Sequence, residues 1–241
     1  YGAQTQRAVD NFPISHQRMP AQFIRALILA KGAAALANVE LKQISAAQGE
    51  AIVEATQILL TGDFMEHFPV DIFQTGSGTS SNMNANEVIA TLATRLLGEE
   101  VNPNDHVNCG QSSNDIIPTT IHVSAALGLH EQLLPALTHL VQVIEHKAEQ
   151  VHVYVKTGRT HLMDAMPVRM SQVLNGWAQQ LKANIEHLHN LQPALQSLAQ
   201  GGTAVGTGIN AHPQFARLFS QQLSALTHVQ FTPGKDLFAL I

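Results

Sequence analysis

Two long stretches of the chain repeat their apolar residues at alternating spacings of three and four, and this pattern constrains the fold most. The first stretch has its seam at Val123, Leu127, His130, Leu134, Leu137, Val141 and Ile144, with a second stripe at Leu129, Leu133, Ala136, Leu140 and Val143. The second, about Met170 to Leu198, has a similar seam at Leu174, Trp177, Leu181, Leu188, Leu191, Leu195 and Leu198. Such spacings predict long α-helices with apolar faces wider than one neighbouring helix can cover.

These helices predict an all-α protein with a bundle. At about 1.5 Å per residue, the second would be some 40 Å long, which exceeds what a compact domain of this size requires. We therefore expect a bundle shared between subunits, although packing within one chain is the alternative. Pro135 is expected to kink or divide the first helix. The predicted domains are a mixed, mainly helical N-terminal domain over residues 1–115 and a helical bundle domain over residues 116–241.

The first hundred residues predict an extended arm followed by three helices. The arm covers residues 1–20, and the helices cover about 21–44, 45–60 and 82–97. Ser45 and Gln48 have the spacing of a capping box, and Gly98 is a typical helix stop.

Beyond these helices the sequence alternates loops and helix starts. Residues 102–115 are polar and turn-forming, which predicts a long loop. Pro118 is expected in the first turn of the helix that follows. A glycine-rich loop over 201–208 precedes a last amphipathic helix over about 213–226.

Composition excludes several classes of protein. The 241 residues are 45% hydrophobic and carry a net charge of −5 with no basic stripe, so no nucleic-acid partner is expected. No apolar run approaches about 18 residues, because Arg25 and Lys31 interrupt the best one, so no membrane span is expected. The single Cys109 excludes an intrachain disulfide, and the start of the chain lacks the pattern of a signal peptide; we expect a cytoplasmic protein. None of the 13 histidines forms an HExxH pattern, so no metal site is expected.

Three polar segments could carry chemistry. The segment TGSGTSSNMNANE (75–87) places glycines and hydroxyls before a helix start, where free amides attract an anion. The segment QSSND (111–115) also precedes a helix. In KTGRTHLMDAMP (156–167), His161 is a candidate acid or base, and Arg159 and Thr160 are candidate carboxylate donors. Helix capping in the first two segments, and a structural histidine in the third, are the alternatives.

Together with YGAQTQR (1–7), NPNDHVNCGQSSND (102–115) and GGTAVGTG (201–208), these segments resemble class II fumarate hydratases of the fumarase/aspartase superfamily. The resemblance runs through the whole chain in the same order. His161 follows Gly-Arg-Thr as in fumarases, whereas aspartases are expected to have glutamine there. Argininosuccinate and adenylosuccinate lyases resemble the third segment but not the first.

The resemblance implies an activity and a set of site residues. The activity is reversible hydration of fumarate to L-malate in the citric acid cycle, without metal or organic cofactor, by a homotetramer in the cytoplasm or, in a eukaryote, the mitochondrial matrix. His161 is the implied catalytic histidine. The implied substrate contacts are Ser77, Gly78, Thr79, Ser112, Ser113, Asn114 and Thr160.

Two departures from the family pattern change what we expect of the secondary site and of the activity of this chain. A weaker secondary dicarboxylate site would involve Asn102, Asn104 and Asp105, but Asn102 replaces the family's histidine. Family members are about twice this length, and a later loop with a serine, a lysine and an asparagine is not among these residues. We therefore expect the 241-residue chain alone to have little or no fumarase activity and to expose apolar seams around Leu174 to Leu198.

Two alternative functions remain at this point. One is another lyase of the superfamily, such as an aspartase. The other is a non-catalytic, truncated homologue that binds dicarboxylates.

Overall fold

The structure, a computed structural model, describes residues 1–241 and has eight α-helices and two small sheets. The helices are α1 (Ala3–Asn11), α2 (Ala21–Glu40), α3 (Ala46–Thr61), α4 (Thr79–Leu97), α5 (Ser113–Gly128), α6 (Leu134–Gln150), α7 (Met170–Leu195) and α8 (Phe215–Thr227). Strands β1 (Val155–Thr160) and β2 (Met163–Arg169) form an antiparallel hairpin, and β3 (Ser197–Leu198) pairs in parallel with β4 (Thr232–Pro233). The predicted all-α class is confirmed.

The chain divides into two compact units, residues 1–126 with 195–241, and residues 127–194. In the first unit, α2 packs against α3 and α8, and α4 packs against α3 and α1. The predicted domain boundary at residue 115 stays a prediction.

The central helix of the first unit is α2. It is apolar on all sides, as a helix surrounded by neighbours must be. By length and composition alone α2 could cross a membrane, so the two charges Arg25 and Lys31 do not interrupt it as expected. However, 78% of its most apolar stretch is buried inside the protein.

Several helix ends follow the sequence signals. Ser45 and Gln48 form the predicted capping box at the start of α3, with the Gln48 amide donating to Ser45 Oγ at 3.2 Å and the Ser45 amide to Gln48 Oε1 at 3.0 Å. Gly98 ends α4 with a left-handed φ of 77°. Both termini are determined by local chemistry.

The expectation of an extended arm over residues 1–20 is wrong in part, because residues 3–11 form α1. The buried carboxylate of Glu87 on α4 accepts the backbone N–H groups of Gly2 (2.8 Å), Gln4 (2.8 Å) and Thr5 (3.1 Å), and the hydroxyl of Thr5 (2.6 Å). A helix start needs such acceptors, and here they come from a residue distant in sequence.

The long loop predicted over residues 102–115 is also partly structured. Residues Pro103–Val107 form a π-helical turn, and α5 begins at Ser113. The Ser112 amide donates to Asp115 Oδ1 at 2.9 Å and the Asn114 amide donates to Ser112 Oγ at 3.2 Å, so these side chains start the helix early. Pro118 therefore lies inside α5 and not in its first turn.

The second unit contains α6, the hairpin and α7. A π-helical turn at Leu129–Leu133, closed by a bond from the Leu134 amide to the Leu129 carbonyl, precedes Pro135 and divides the predicted helix as expected. Lys182 on α7 pairs with Glu145 on α6 at 2.6 Å.

The apolar seams of this unit are only partly covered. Ser171 and Ala178 are the buried residues of α7, and Trp177 is 54% exposed. Other exposed apolar side chains are Leu133, Leu140, Val143 and Leu191. The expectation of an exposed seam around Leu174 to Leu198 is confirmed for Trp177 and Leu191, whereas Leu198 at its end is buried.

Candidate active site

The first predicted segment forms the approach to the N-terminus of α4. Ser77 and Gly78 both have a left-handed backbone, with φ of 57° and 64°, and Thr79 is the first residue of the helix. Ser77 and Thr79 are exposed. Gly78 is the N-cap and has no side chain, so it offers the first amides of α4 no acceptor. Gln74 Oε1 accepts the Ser81 amide at 2.9 Å, so the amides that precede Ser81 and the positive dipole end of α4 are what can attract an anion.

The second predicted segment forms the N-terminus of α5. Ser112, Ser113 and Asn114 are half-buried, and Asp115 is buried beneath them. The hydroxyl of Ser112 accepts the Asn114 amide, whereas Asn114 Nδ2 donates to the carbonyl of Ala204 at 2.7 Å. The hydroxyl of Ser113 is half-buried and can donate a hydrogen bond to a ligand.

The structure brings these two helix starts together. A methyl group on Gly78 would lie 3.0 Å from side-chain atoms of Ile117 in the first turns of α5. Gly78 thus permits close approach as well as the left-handed φ that its position requires. Two partly positive helix ends next to each other suit a ligand with two carboxylates.

Asp115 joins the second segment to the glycine-rich loop. Its Oδ2 accepts hydrogen bonds from Gln200 Nε2 (3.0 Å), the Gly201 amide (3.1 Å) and the Thr203 amide (2.9 Å). Burial raises the pKa of the Asp115 carboxyl, while these donors and the positive charge of Lys31 oppose that rise. Loop 201–208, whose function the sequence left open, is therefore tied to the candidate site.

A cluster around Lys31 was not predicted. Lys31 is buried in α2, and its Nζ donates to Asn108 Oδ1 at 2.9 Å and Gln111 Oε1 at 2.8 Å. Burial lowers the pKa of the Lys31 ammonium to about 7, against the opposing effect of the nearby Asp115 charge. A single lysine in the apolar run ILAKGAAAL was the sequence signal that could have indicated this cluster.

The third predicted segment forms the hairpin of β1 and β2. His161 and Leu162 make its two-residue turn, because Thr160 pairs with Met163. Both turn residues have positive φ, 48° and 63°, in a turn that usually selects asparagine and glycine. His161 is exposed at the tip of the hairpin.

The neighbours of His161 are also exposed. Thr160 is the last residue of β1. Arg159 pairs with Asp164 across the hairpin at 3.3 Å, so its guanidinium already has a carboxylate partner. His161 and Thr160 belong to the second unit, whereas the serine segments belong to the first.

The predicted secondary site lies at the π-helical turn. Asn102 Oδ1 accepts the amides of Asn104 (2.8 Å) and Asp105 (3.0 Å), so its oxygen caps the turn. The Asn102 amide donates to His106 Nδ1 at 2.9 Å. Asn104 and Asp105 are exposed. No group of three or more His, Cys, Asp or Glu side chains lies close enough to hold a metal ion.

Comparison with known proteins identifies the family. A family model described as Lyase matches residues 1–240. The chain belongs to the lyase family. It is 71% identical over its whole length to "Fumarate hydratase class II 2" of Pseudomonas aeruginosa, and 49% identical over 99% of its length to "Fumarate hydratase class II" of Halobacterium salinarum. The chain spans 53% and 52% of these relatives, about half of their length.

Solved lyase structures have the same fold. The class II fumarase from Schistosoma mansoni superposes with a TM-score of 0.97 at 38% identity, over 100% of this chain and 55% of that one. The fumarate lyase:delta crystallin from Brucella melitensis bound to cobalt gives a TM-score of 0.93 at 37% identity, over 99% of this chain and 53% of that one. The fold expected from the sequence resemblance is confirmed.

Proposed function

We propose that the protein catalyses the reversible hydration of fumarate to L-malate. The observation that carries this proposal is the 71% identity, along the entire chain, to a relative named as a class II fumarate hydratase. The same lyase family contains enzymes with other substrates, so the site residues must also support fumarate and L-malate as the substrates.

The two helix starts supply what a dicarboxylate needs. Ser77, Gly78 and Thr79 stand at the first, and Ser112, Ser113 and Asn114 at the second. Neutral hydroxyl, amide and backbone N–H donors bind a carboxylate without a formal counter-charge. Such donors can also stabilise the extra negative charge that develops when the carbon beside a carboxylate carries an electron pair.

The proposed role of His161 is acid–base chemistry at oxygen. In the hydration direction, a water oxygen bonds to one alkene carbon and loses a proton, and the other alkene carbon gains a proton. An imidazole can take the proton from water and return it in the reverse reaction. Thr160, next to His161, is proposed as a further substrate contact. The group that exchanges the carbon-bound proton is not assigned to any of these 241 residues.

Further properties belong to the same proposal. They are a cofactor-free reaction, a homotetrameric assembly, a cytoplasmic location, and a weak secondary dicarboxylate site at Asn102, Asn104 and Asp105. The exposed apolar side chains of α6 and α7 support self-association, because water-exposed apolar area favours burial against a partner.

Substrate profiling of the full-length natural protein tests the proposal. We expect turnover of fumarate and L-malate, and none of aspartate or argininosuccinate. Ser113→Ala should raise KM for fumarate about tenfold, because one donor to a charged ligand is lost. Ser124→Ala, on the same helix, is the matched control. Turnover of aspartate would assign an ammonia lyase, and dicarboxylate binding without any turnover would favour the non-catalytic homologue.

A further inference from the structure

Lys31 is the one fully buried cationic side chain of the chain, and it lies on α2, outside every segment assigned to the substrate. A buried ammonium costs free energy unless hydrogen bonds and a counter-charge compensate for the lost water. An apolar residue would fill the same position in this apolar helix without that cost. The contacts of Lys31 therefore need an explanation other than packing.

Those contacts converge on the loop that leads into α5. Lys31 Nζ donates to Asn108 Oδ1 and to Gln111 Oε1, and Gln111 directly precedes Ser112. Asn82 on α4 donates to the same Asn108 oxygen at 3.2 Å. Asn108 Nδ2 in turn donates to the Gln111 carbonyl at 3.2 Å. Through these bonds, α2 and α4 hold the loop from beneath.

The side-chain nitrogen of Gln111 belongs to the same hydrogen-bond network. Its Nε2 donates to the carbonyls of Val107 (3.0 Å) and Cys109 (3.2 Å). A bond from Lys31 to the opposite end of this amide fixes which way the amide faces, because the oxygen must point at the ammonium. The orientation of Gln111 then determines the path of the backbone into the helix start.

We propose that Lys31 is a positioning residue for the second substrate segment: by holding Asn108 and Gln111 it fixes the loop that presents Ser112, Ser113 and Asn114 to a dicarboxylate. This inference rests on the proposed function for the ligand, but the positioning itself is a property of the chain. Asp115, immediately after the segment, adds a charge that acts on Lys31 and also accepts the Ser112 amide at 2.9 Å.

Amide hydrogen exchange tests the positioning without any activity. Lys31→Met keeps an unbranched side chain that is one atom shorter and removes its hydrogen bonds. We expect exchange of the amides in residues 108–114 to become about tenfold faster, since two hydrogen bonds from Lys31 are lost, while α3 and α8 stay protected. Lys235→Met, which changes an exposed lysine of the same unit, should leave exchange unchanged.

A second variant guards against a general folding defect. Gln111→Met removes one acceptor of Lys31, and it should produce the same local acceleration. The effect of the double variant should be smaller than the product of the two single effects, because both changes break one network. Unchanged exchange at 108–114 in both variants, or acceleration spread evenly over the whole unit, would overturn the proposal.

The full-length natural protein gives the functional readout. Lys31→Met should raise KM for fumarate about tenfold and change kcat less than about twofold, as expected when a binding segment is loosened. An unchanged KM would contradict the link to substrate. If the unmodified protein does not turn over fumarate but the exchange result holds, the proposed function fails and the positioning of the loop stands.

Discussion

Asp115 Oδ2 accepts the backbone amide of Thr203 at 2.9 Å and so joins two segments that are 88 residues apart in sequence. The same oxygen also accepts Gln200 and Gly201. Asp115→Asn would replace one of the two carboxylate oxygens, each of which accepts a hydrogen bond, with an NH₂ group that cannot accept one. We expect a loss of about 2–4 kcal/mol in the free energy of unfolding, because buried donors lose their acceptor. Thermal or urea unfolding measures this, with exposed Asp63→Asn as control; equal stability of the two variants would contradict it.

Lys31 makes stability depend on pH in an unusual direction. Its pKa in the folded chain is about 7, below the ordinary value of 10.5 in the unfolded chain. Between these values the unfolded state binds one more proton, so stability rises with pH by about 1.4 kcal/mol per pH unit from this group. We expect the free energy of unfolding, relative to that of Lys31→Met, to increase from pH 7 to pH 10. A difference that is flat or falls over this range would contradict the assignment.

Glu87 should also make stability rise with pH, but in the acid range and through α1. Hydrogen bonds from Thr5, Gln4 and Gly2 hold the pKa of the Glu87 carboxyl below its ordinary value. The folded pKa is depressed, so this stabilisation is present above the unfolded pKa and is lost as pH falls through the folded pKa.

Glu87→Gln should cause, at neutral pH, the same loss of stabilisation of α1 that low pH causes in the unmodified chain. It removes the charge and one acceptor, and amides of residues 3–11 should then exchange faster, while α2 keeps its protection. Glu54→Gln on the exposed face of α3 is the matched control. Protection of residues 3–11 equal to the control would show that the cap does not hold α1.

The exposed seam of α7 predicts self-association. Trp177 is the only tryptophan and is 54% exposed, and Leu191 on the same helix is 49% exposed. Light scattering of the chain should give a mass above 26.0 kDa, and dilution should shift the Trp177 emission to longer wavelength as the ring meets water. Trp177→Gln with Leu191→Gln should lower the mass, whereas Gln179→Ala should not. A monomer that melts cooperatively at all concentrations would contradict this prediction.

The sequence predicted features that depend on neighbouring residues. The capping box of Ser45 and Gln48, the stop at Gly98 and the division near Pro135 all require residues within a few positions of each other. Periodicity likewise predicted the long helices α6 and α7. These signals depend on residues close together in the sequence, so the sequence alone is enough to predict them.

Features that depend on distant residues were missed. The start of α1 is capped by Glu87, which is distant in sequence. Helix α5 begins early because the Ser112 amide donates to Asp115, whose carboxylate also accepts the amide of Thr203 in a distant loop. The turn of the hairpin around His161 contains neither asparagine nor glycine, so nothing in the sequence indicated a hairpin there. The polar segments of the candidate site were found by composition, whereas the Lys31 cluster depends on tertiary contacts between α2 and the loop.

The most direct test of the proposed function is fumarate hydration by the full-length natural protein and its His161→Asn variant, followed by the loss of fumarate absorbance. We expect turnover by the unmodified protein and a fall in kcat of about 100-fold or more in the variant, because one acid–base group is removed. His187→Asn, an exposed histidine of α7, should keep kcat within about twofold. The 241-residue chain alone should show little or no turnover. No hydration by the full-length protein, or full activity of His161→Asn, would contradict the account.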